Sequence, residues 1–211
     1  MLPVGDDNST RRTFPFITYL LILVNVIFFV AELLLGDAFI IRWSFVPQRF
    51  LANPASDFIT LFSSMFMHAG WLHIAGNMLY LFIFGDNVED RFGHVKFIIF
   101  YLICGLAATF AQMAFSMHSS IPSLGASGAI AGVLGAYILM FPKTQVRVLM
   151  GTAVIPVSAL IVIGAWIVLQ FFSGVGSIMN PTDEGGVAYM AHIGGFIAGV
   201  ILTLIFRKRG A

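Results

Sequence analysis

A serine stands between glycines in Gly125-Ala126-Ser127-Gly128, where a polar loop gives way to an apolar, helix-forming run. Glycines on either side let the chain turn tightly and let a substrate backbone come close. The first amides of a helix have no intrahelical acceptor, so they can hold an oxyanion beside the serine. This combination suits acyl transfer with Ser127 as nucleophile. Serine needs a base for that task. His192, in Ala191-His192-Ile193-Gly194-Gly195, lies near the start of a later apolar run and is the candidate. His73 and Asn77 stand at i and i+4, hence on one helix face, and both can donate hydrogen bonds to an oxyanion. His68, just before them, can order the adjoining loop or a water. Each residue also has a plainer use: Ser127 as a helix cap in a small-residue stripe, His73 and Asn77 as polar contacts between helices, His192 as a packed histidine.

Pattern suggests how nucleophile and base meet. Ser127, Ala131 and Gly135 follow one another down one helix face, and His192, Gly195 and Gly199 down another. Two small-residue stripes let helix backbones approach closely. The spans near this depth contain no suitable Asp or Glu, and Asp183 and Glu184 belong to a loop that reads as solvated. A Ser–His pair without an acid is therefore the expected form of the triad logic. Zinc is the competing chemistry, with His68, His73 and His192 as ligands. The i, i+5 spacing of the first two does not suit a helix-borne zinc pair, and no His-Glu-x-x-His occurs. No metal and no other cofactor is expected, and nothing in the sequence supports nucleic-acid binding.

These residues need elements to hold them. Of the 211 residues, 59% are hydrophobic and 10% charged, against about 25% charged in a soluble domain. The apolar runs are about 20 residues long and do not alternate, which in lipid means helices rather than strands. Spans read at about 16–35, 71–88, 94–115, 127–141, 148–172 and 187–206. The expected fold class is an all-α membrane protein, a six-transmembrane-helix bundle with a long, partly membrane-embedded first loop. One domain covers residues 1–211, with 1–13 a flexible cytoplasmic N-terminus. With that end inside, the inner segments hold Arg11, Arg12, Arg91, Lys96, Lys143, Arg147, Arg207, Lys208 and Arg209, and the outer ones only Arg42 and Arg49. Basic residues favour the cytoplasmic side, so both termini are placed there.

The loop at 36–70 mixes aromatic with basic residues and reads as short helices in the outer leaflet. Glu32 falls at the outer end of the first span, within reach of water. Glu89 and Arg91 read as an ion pair or cap network at the inner surface, and Cys104 as a packing residue. The run from Ser127 to Phe141 has 15 residues, about 22 Å of helix. The hydrocarbon core is about 30 Å thick. With Lys143 at the inner interface, Ser127 lies below the outer surface, and the loop before it must dip inward beside a hydrated, outward-opening cavity.

On these residues alone, three readings stay open. The first is a membrane serine protease. The second is a non-catalytic protein that binds spans, and the third a transporter using the same polar cavity. Transport needs a path to the inner face, where the fourth and sixth spans are apolar and glycine-packed. Taken together, the motifs resemble the rhomboid family of intramembrane serine proteases, from about Phe14 to Phe206. His-x4-His-x3-Asn is met by His68, His73 and Asn77, and Glu-x-Arg by Glu89 and Arg91. Gly-x-Ser-Gly is met by Gly125, Ser127 and Gly128, and Ala-His-x2-Gly-x3-Gly by Ala191, His192, Gly195 and Gly199.

The resemblance implies Ser127 as nucleophile, His192 as general base, and His73, Asn77 and the Ser127 amide as oxyanion hole. It implies single-span membrane proteins as substrates, cut near their outer end, and a fifth span bordering their lateral way in, with membrane lipid around the bundle. Two departures stand out. Ile59-Thr60 replaces a Trp-Arg pair that many members carry in the first loop. Ala131 replaces an aromatic that stacks on the histidine, so His192 is held less firmly or by another aromatic. With no extra span or targeting extension, a prokaryotic plasma membrane is the expected location.

Overall fold

Prolines and glycines cut the apolar chain into its helices. In a computed structural model, which describes residues 2–179 and 186–206, the chain opens with strand β1 (Leu2–Gly5) and helix α1 (Phe16–Leu35). Four short helices follow: α2 (Asp37–Trp43), α3 (Pro47–Ala52), α4 (Pro54–Asp57) and α5 (Thr60–Ser63), then a 3-10 turn at Ser64–Phe66. Pro47 and Pro54 open α3 and α4, where a missing N–H leaves no helix bond unmade. Helices α6 (Trp71–Phe92), α7 (His94–Phe115) and α8 (Ser127–Met140) come next, then strands β2 (Gln145–Met150) and β3 (Ala153–Ser158), then α9 (Ala159–Met179) and α10 (Tyr189–Phe206).

The protein is a mostly helical membrane protein. Helices α1, α7, α9 and α10 are each long and apolar enough to cross a membrane. The stretch Pro54–Phe66 with α6 makes a fifth candidate, bent by 76° at its break. Helix α8, at 14 residues, is apolar but shorter. It is buried on all sides: Ala129, Ile130, Ala131, Val133, Leu134 and Ala136 all lie in the core. A helix apolar all round belongs inside a bundle. Helices α1 and α9 instead expose apolar side chains such as Leu23, Ile27, Leu169 and Phe172, a surface suited to lipid.

Close packing of α10 on α8 depends on glycine. A Cβ at Gly195 would collide with the carbonyl oxygen of Gly128, and one at Gly199 with that of Gly132. A Cβ at Gly135 would lie 2.5 Å from the Phe196 carbonyl oxygen. The stripe that meets α10 is thus Gly128, Gly132 and Gly135, one position round from Ser127 and Ala131.

Four expectations are corrected. The fold is not all-α, and the span expected at 148–172 begins later. Strands β2 and β3 form an antiparallel hairpin, Gln145 opposite Ser158 and Met150 opposite Ala153, and α9 starts only at Ala159. Along Gln145-Val146-Arg147-Val148 exposed and buried side chains alternate, the strand period, and β-branched valines fit it. The N-terminal segment is not loose. Strand β1 pairs with β2, Leu2 opposite Leu149, in a sheet ordered β1-β2-β3. Asp6 is buried and accepts hydrogen bonds from Tyr137 Oη at 2.6 Å and Asn87 Nδ2 at 2.8 Å. Arg11 pairs with Asp86 at 2.6 Å, and the amides of Arg12 and Thr13 donate to Asp90.

Glu32 is buried rather than reached by water, and accepts the His68 amide at 2.9 Å. Glu89 forms the expected cap network rather than an ion pair with Arg91. Its carboxylate accepts the Ile17 and Thr18 amides at 2.8 and 2.7 Å and the Thr18 hydroxyl at 2.6 Å. It thereby satisfies amides at the start of α1 that no intrahelical carbonyl can reach. The Arg91 guanidinium lies over the Phe141 ring, 5.3 Å from its centroid.

Candidate active site

Ser127 is aimed by the loops before it. Phe45 and Ser123 exchange backbone hydrogen bonds at 3.1 and 2.7 Å, the Gln48 amide donates to the Ser119 carbonyl at 3.1 Å, and the Gly125 amide to that of Ser64 at 2.9 Å. The chain leading into α8 is therefore pinned to the first loop. Arg49 clips that loop, donating to Asp57 at 2.5 Å and to the carbonyls of Ile41 and Ser44 at 2.7 and 2.6 Å. Anchoring thus comes from Arg49, with Ile59-Thr60 in place of a Trp-Arg pair.

Gly125 has φ +129°, a region that glycine occupies readily and other residues avoid. It also has no room for a side chain: a Cβ there would lie 2.9 Å from His73 Nε2 and 3.6 Å from Ser127 Oγ. The His73 ring and the Ser127 hydroxyl therefore flank the same glycine. The Nδ1 of His73 accepts the Ala69 amide at 3.3 Å, which leaves Nε2 on the Gly125 side.

Ser127 is the first residue of α8 and half-buried. Its Oγ lies 2.7 Å from Nε2 of His192, which is itself buried. The pairing expected from the small-residue stripes is therefore present in the geometry. On the far side of the ring, Nδ1 of His192 lies 2.7 Å from Oε1 of Gln170. The Trp166 ring stands beside the imidazole, centroids 5.6 Å apart and planes inclined by 37°. Trp166 is the aromatic neighbour that Ala131 cannot be. Both Trp166 and Gln170 come from α9, and neither was a candidate from sequence. Gln170 carries the one side-chain amide of α9. A polar group in a membrane span is costly enough to serve as a signal, and a search confined to acids passes over it.

Asn77 is buried, and its Nδ2 finds no acceptor among the described residues. Natively buried donors are nearly always paired, so an orphan calls for an explanation. Asn77 makes no hydrogen bond to His73, Ser127 or His192. His68 is buried behind His73, rings 5.0 Å apart and edge to face. The three histidines do not form a metal-ligating cluster among the described residues. Asp183 and Glu184 lie outside the described residues, as do Arg207, Lys208 and Arg209. A cavity of about 20 Å³ opens beside the serine, lined in part by Ser64, Leu124, Gly125, Ser127, Gly128 and Ala191. That is room for one water.

Fold and site together define a class: a helical membrane protein with a serine–histidine pair set between two apolar helices. Comparison with known proteins makes the assignment specific. The Rhomboid domain model matches residues 55–209, which include all four motifs, and the chain belongs to the rhomboid family. It is 31% identical over 196 residues to rhomboid protease GluP of Bacillus subtilis, covering 90% of this chain and 35% of that protein. It is 28% identical over 227 residues to rhomboid protease GlpG of Salmonella paratyphi A, covering 97% and 74%. It is 28% identical over 167 residues to the mitochondrial Rhomboid protein 1 of Saccharomyces cerevisiae, covering 75% and 45%. The chain thus spans less than half the length of two of these three relatives.

Proposed function

We propose that this protein is an intramembrane serine endopeptidase that hydrolyses peptide bonds in or near the transmembrane segments of single-span membrane proteins. The observation that carries the reading is the 2.7 Å contact between Ser127 Oγ and His192 Nε2 inside an apolar helix bundle. His192 Nε2 takes the hydroxyl proton as Oγ attacks the scissile carbonyl carbon. The carbonyl oxygen becomes an oxyanion. His73 Nε2, the Asn77 amide and the Ser127 backbone N–H are its donors in this reading. The unpaired Asn77 Nδ2 is what such a donor looks like before its acceptor arrives. Histidine then passes the proton to the leaving nitrogen, the C–N bond breaks, and an acyl-serine remains. Water attacks the ester and gives its proton to His192. The acid fragment departs and Ser127 regains its hydrogen.

We place this chemistry in a bundle of six spans forming a single domain. The first loop lies in the outer leaflet, α9 borders the lateral way in, and both termini are cytoplasmic, in a prokaryotic plasma membrane. Gly125, Gly128, Gly195 and Gly199 support the site by allowing close approach, and His68 by backing His73. Ser127→Ala is expected to abolish cleavage of a co-expressed single-span substrate, and a fluorophosphonate or isocoumarin probe to label the wild type alone. A wild type that is neither labelled nor able to cut such substrates would refute the proposal.

A further inference from the structure

We propose that Gln170 is the positioning residue for His192, standing where a triad would place an acid; the inference rests on the protease reading above. Ser127 can surrender its proton only to an unprotonated Nε2. A neutral imidazole with a bare Nε2 carries its proton on Nδ1. That N–H is buried, and leaving it without an acceptor is costly. Gln170 Oε1, 2.7 Å away, is the acceptor. It selects the tautomer in which His192 is a base toward Ser127.

Three further observations point the same way. Gln170 and Trp166 stand at i and i+4, so one face of α9 delivers both an acceptor for Nδ1 and a neighbour for the ring. The rest of that helix is apolar apart from Ser173 and Ser177, so the amide has no general solvating role. An amide orients the ring without bringing a net charge into a lipid-exposed helix, where a carboxylate is expensive. An amide also has two ends. Turned round, Gln170 would donate to Nδ1, force the proton onto Nε2, and leave Ser127 facing a donor. The proposal therefore commits to one orientation.

The test compares wild type with Gln170→Met, close in shape but without an acceptor, and Gln170→Glu, which can only accept when ionised. Cleavage of a single-span substrate is followed in proteoliposomes. The 15N spectrum of His192 is read in histidine-labelled protein, assigned by its loss in His192→Gln. The wild-type spectrum should show a protonated Nδ1 and a bare Nε2. Gln170→Met should shift protonation toward Nε2 and lower kcat about tenfold, or about 1.4 kcal/mol, with KM within about twofold. Gln170→Glu should restore kcat. Wild-type kcat in Gln170→Met, or a wild-type spectrum with the proton on Nε2, overturns the proposal. If Gln170→Met does not fold, the wild-type spectrum decides alone. A wild type that neither cuts nor takes the serine probe refutes the protease reading, while its spectrum still decides the role of Gln170.

Discussion

Gly195→Ala is the sharpest probe of how the site is held. The added Cβ falls against the carbonyl oxygen of Gly128, a backbone atom with no side-chain freedom to swing away. Ordinary contact begins at 3.4 Å, so α8 and α10 must part locally. Gly128 follows Ser127, and Gly195 lies one turn after His192, so the displacement reaches the pair itself. A separation of about 1 Å would stretch the 2.7 Å contact to about 3.7 Å, beyond hydrogen-bond range. Misplacement on that scale costs about 10²-fold in rate. Overpacking of this kind also costs about 1–3 kcal/mol of stability. Gly199→Ala meets the Gly132 carbonyl a turn further from the pair, so it should lose similar stability but less rate. Gly164→Ala, with nothing within 4 Å of its added Cβ, is the control. The assay is kcat on a single-span substrate in proteoliposomes, beside thermal unfolding in detergent. Wild-type kcat and unfolding temperature for Gly195→Ala would show that these backbones do not touch and would refute the packing argument.

Two further outcomes test the end of the bundle remote from Ser127. Glu89→Ala strands the Ile17 and Thr18 amides and should lower stability by about 3 kcal/mol in denaturant or thermal unfolding, while the folded fraction still reacts with a serine probe. Burial raises the Asp6 carboxyl above its ordinary 3.8, in a setting that also holds Tyr137, Asn87, Asp7 and Asp86. The docked state then keeps a proton that the undocked segment releases. Docking of β1 is therefore strongest below 3.8 and weakens as pH rises through the raised value. Hydrogen exchange at Leu2–Gly5, corrected for intrinsic rates, should show this trend, and Asp6→Asn should flatten it.

Much of this arrangement was legible from residue types. The pairing of Ser127 with His192 followed from two small-residue stripes, because only small side chains let helices approach that closely. Gly135, Gly195 and Gly199 lie at the contact as read, but Gly128 and Gly132 stand there in place of Ser127 and Ala131, since a 3.6-residue period leaves neighbouring stripes hard to separate by counting. The hairpin at β2 and β3 was hidden by its own hydrophobicity. Val148 to Val157 is apolar enough to read as the start of a span, and an apolar run alone does not distinguish strand from helix. The N-terminal segment looked loose because its partners, Tyr137, Asn87 and β2, are distant in sequence. Glu32 was read as reached by water, yet it binds the amide of His68, far along the chain; the cap network read for Glu89 is present, and its partner is the start of α1. Gln170 was missed because a third member was sought among acids, whereas a lipid-facing helix favours a neutral acceptor.

The joining of β1 to β2 also sets an order of assembly. Leu2 lies opposite Leu149, so the strand synthesised early has no partner until most of the bundle has been made. Closing so long a loop is slow compared with forming local helix contacts. The helices up to α8 can therefore pack before the sheet exists, and the Asp6–Tyr137 hydrogen bond closes afterwards on the far end of the helix that carries Ser127. A strand made before the helices becomes their last fastening, and a ribosome stalled before β2 would leave a bundle packed but unlatched.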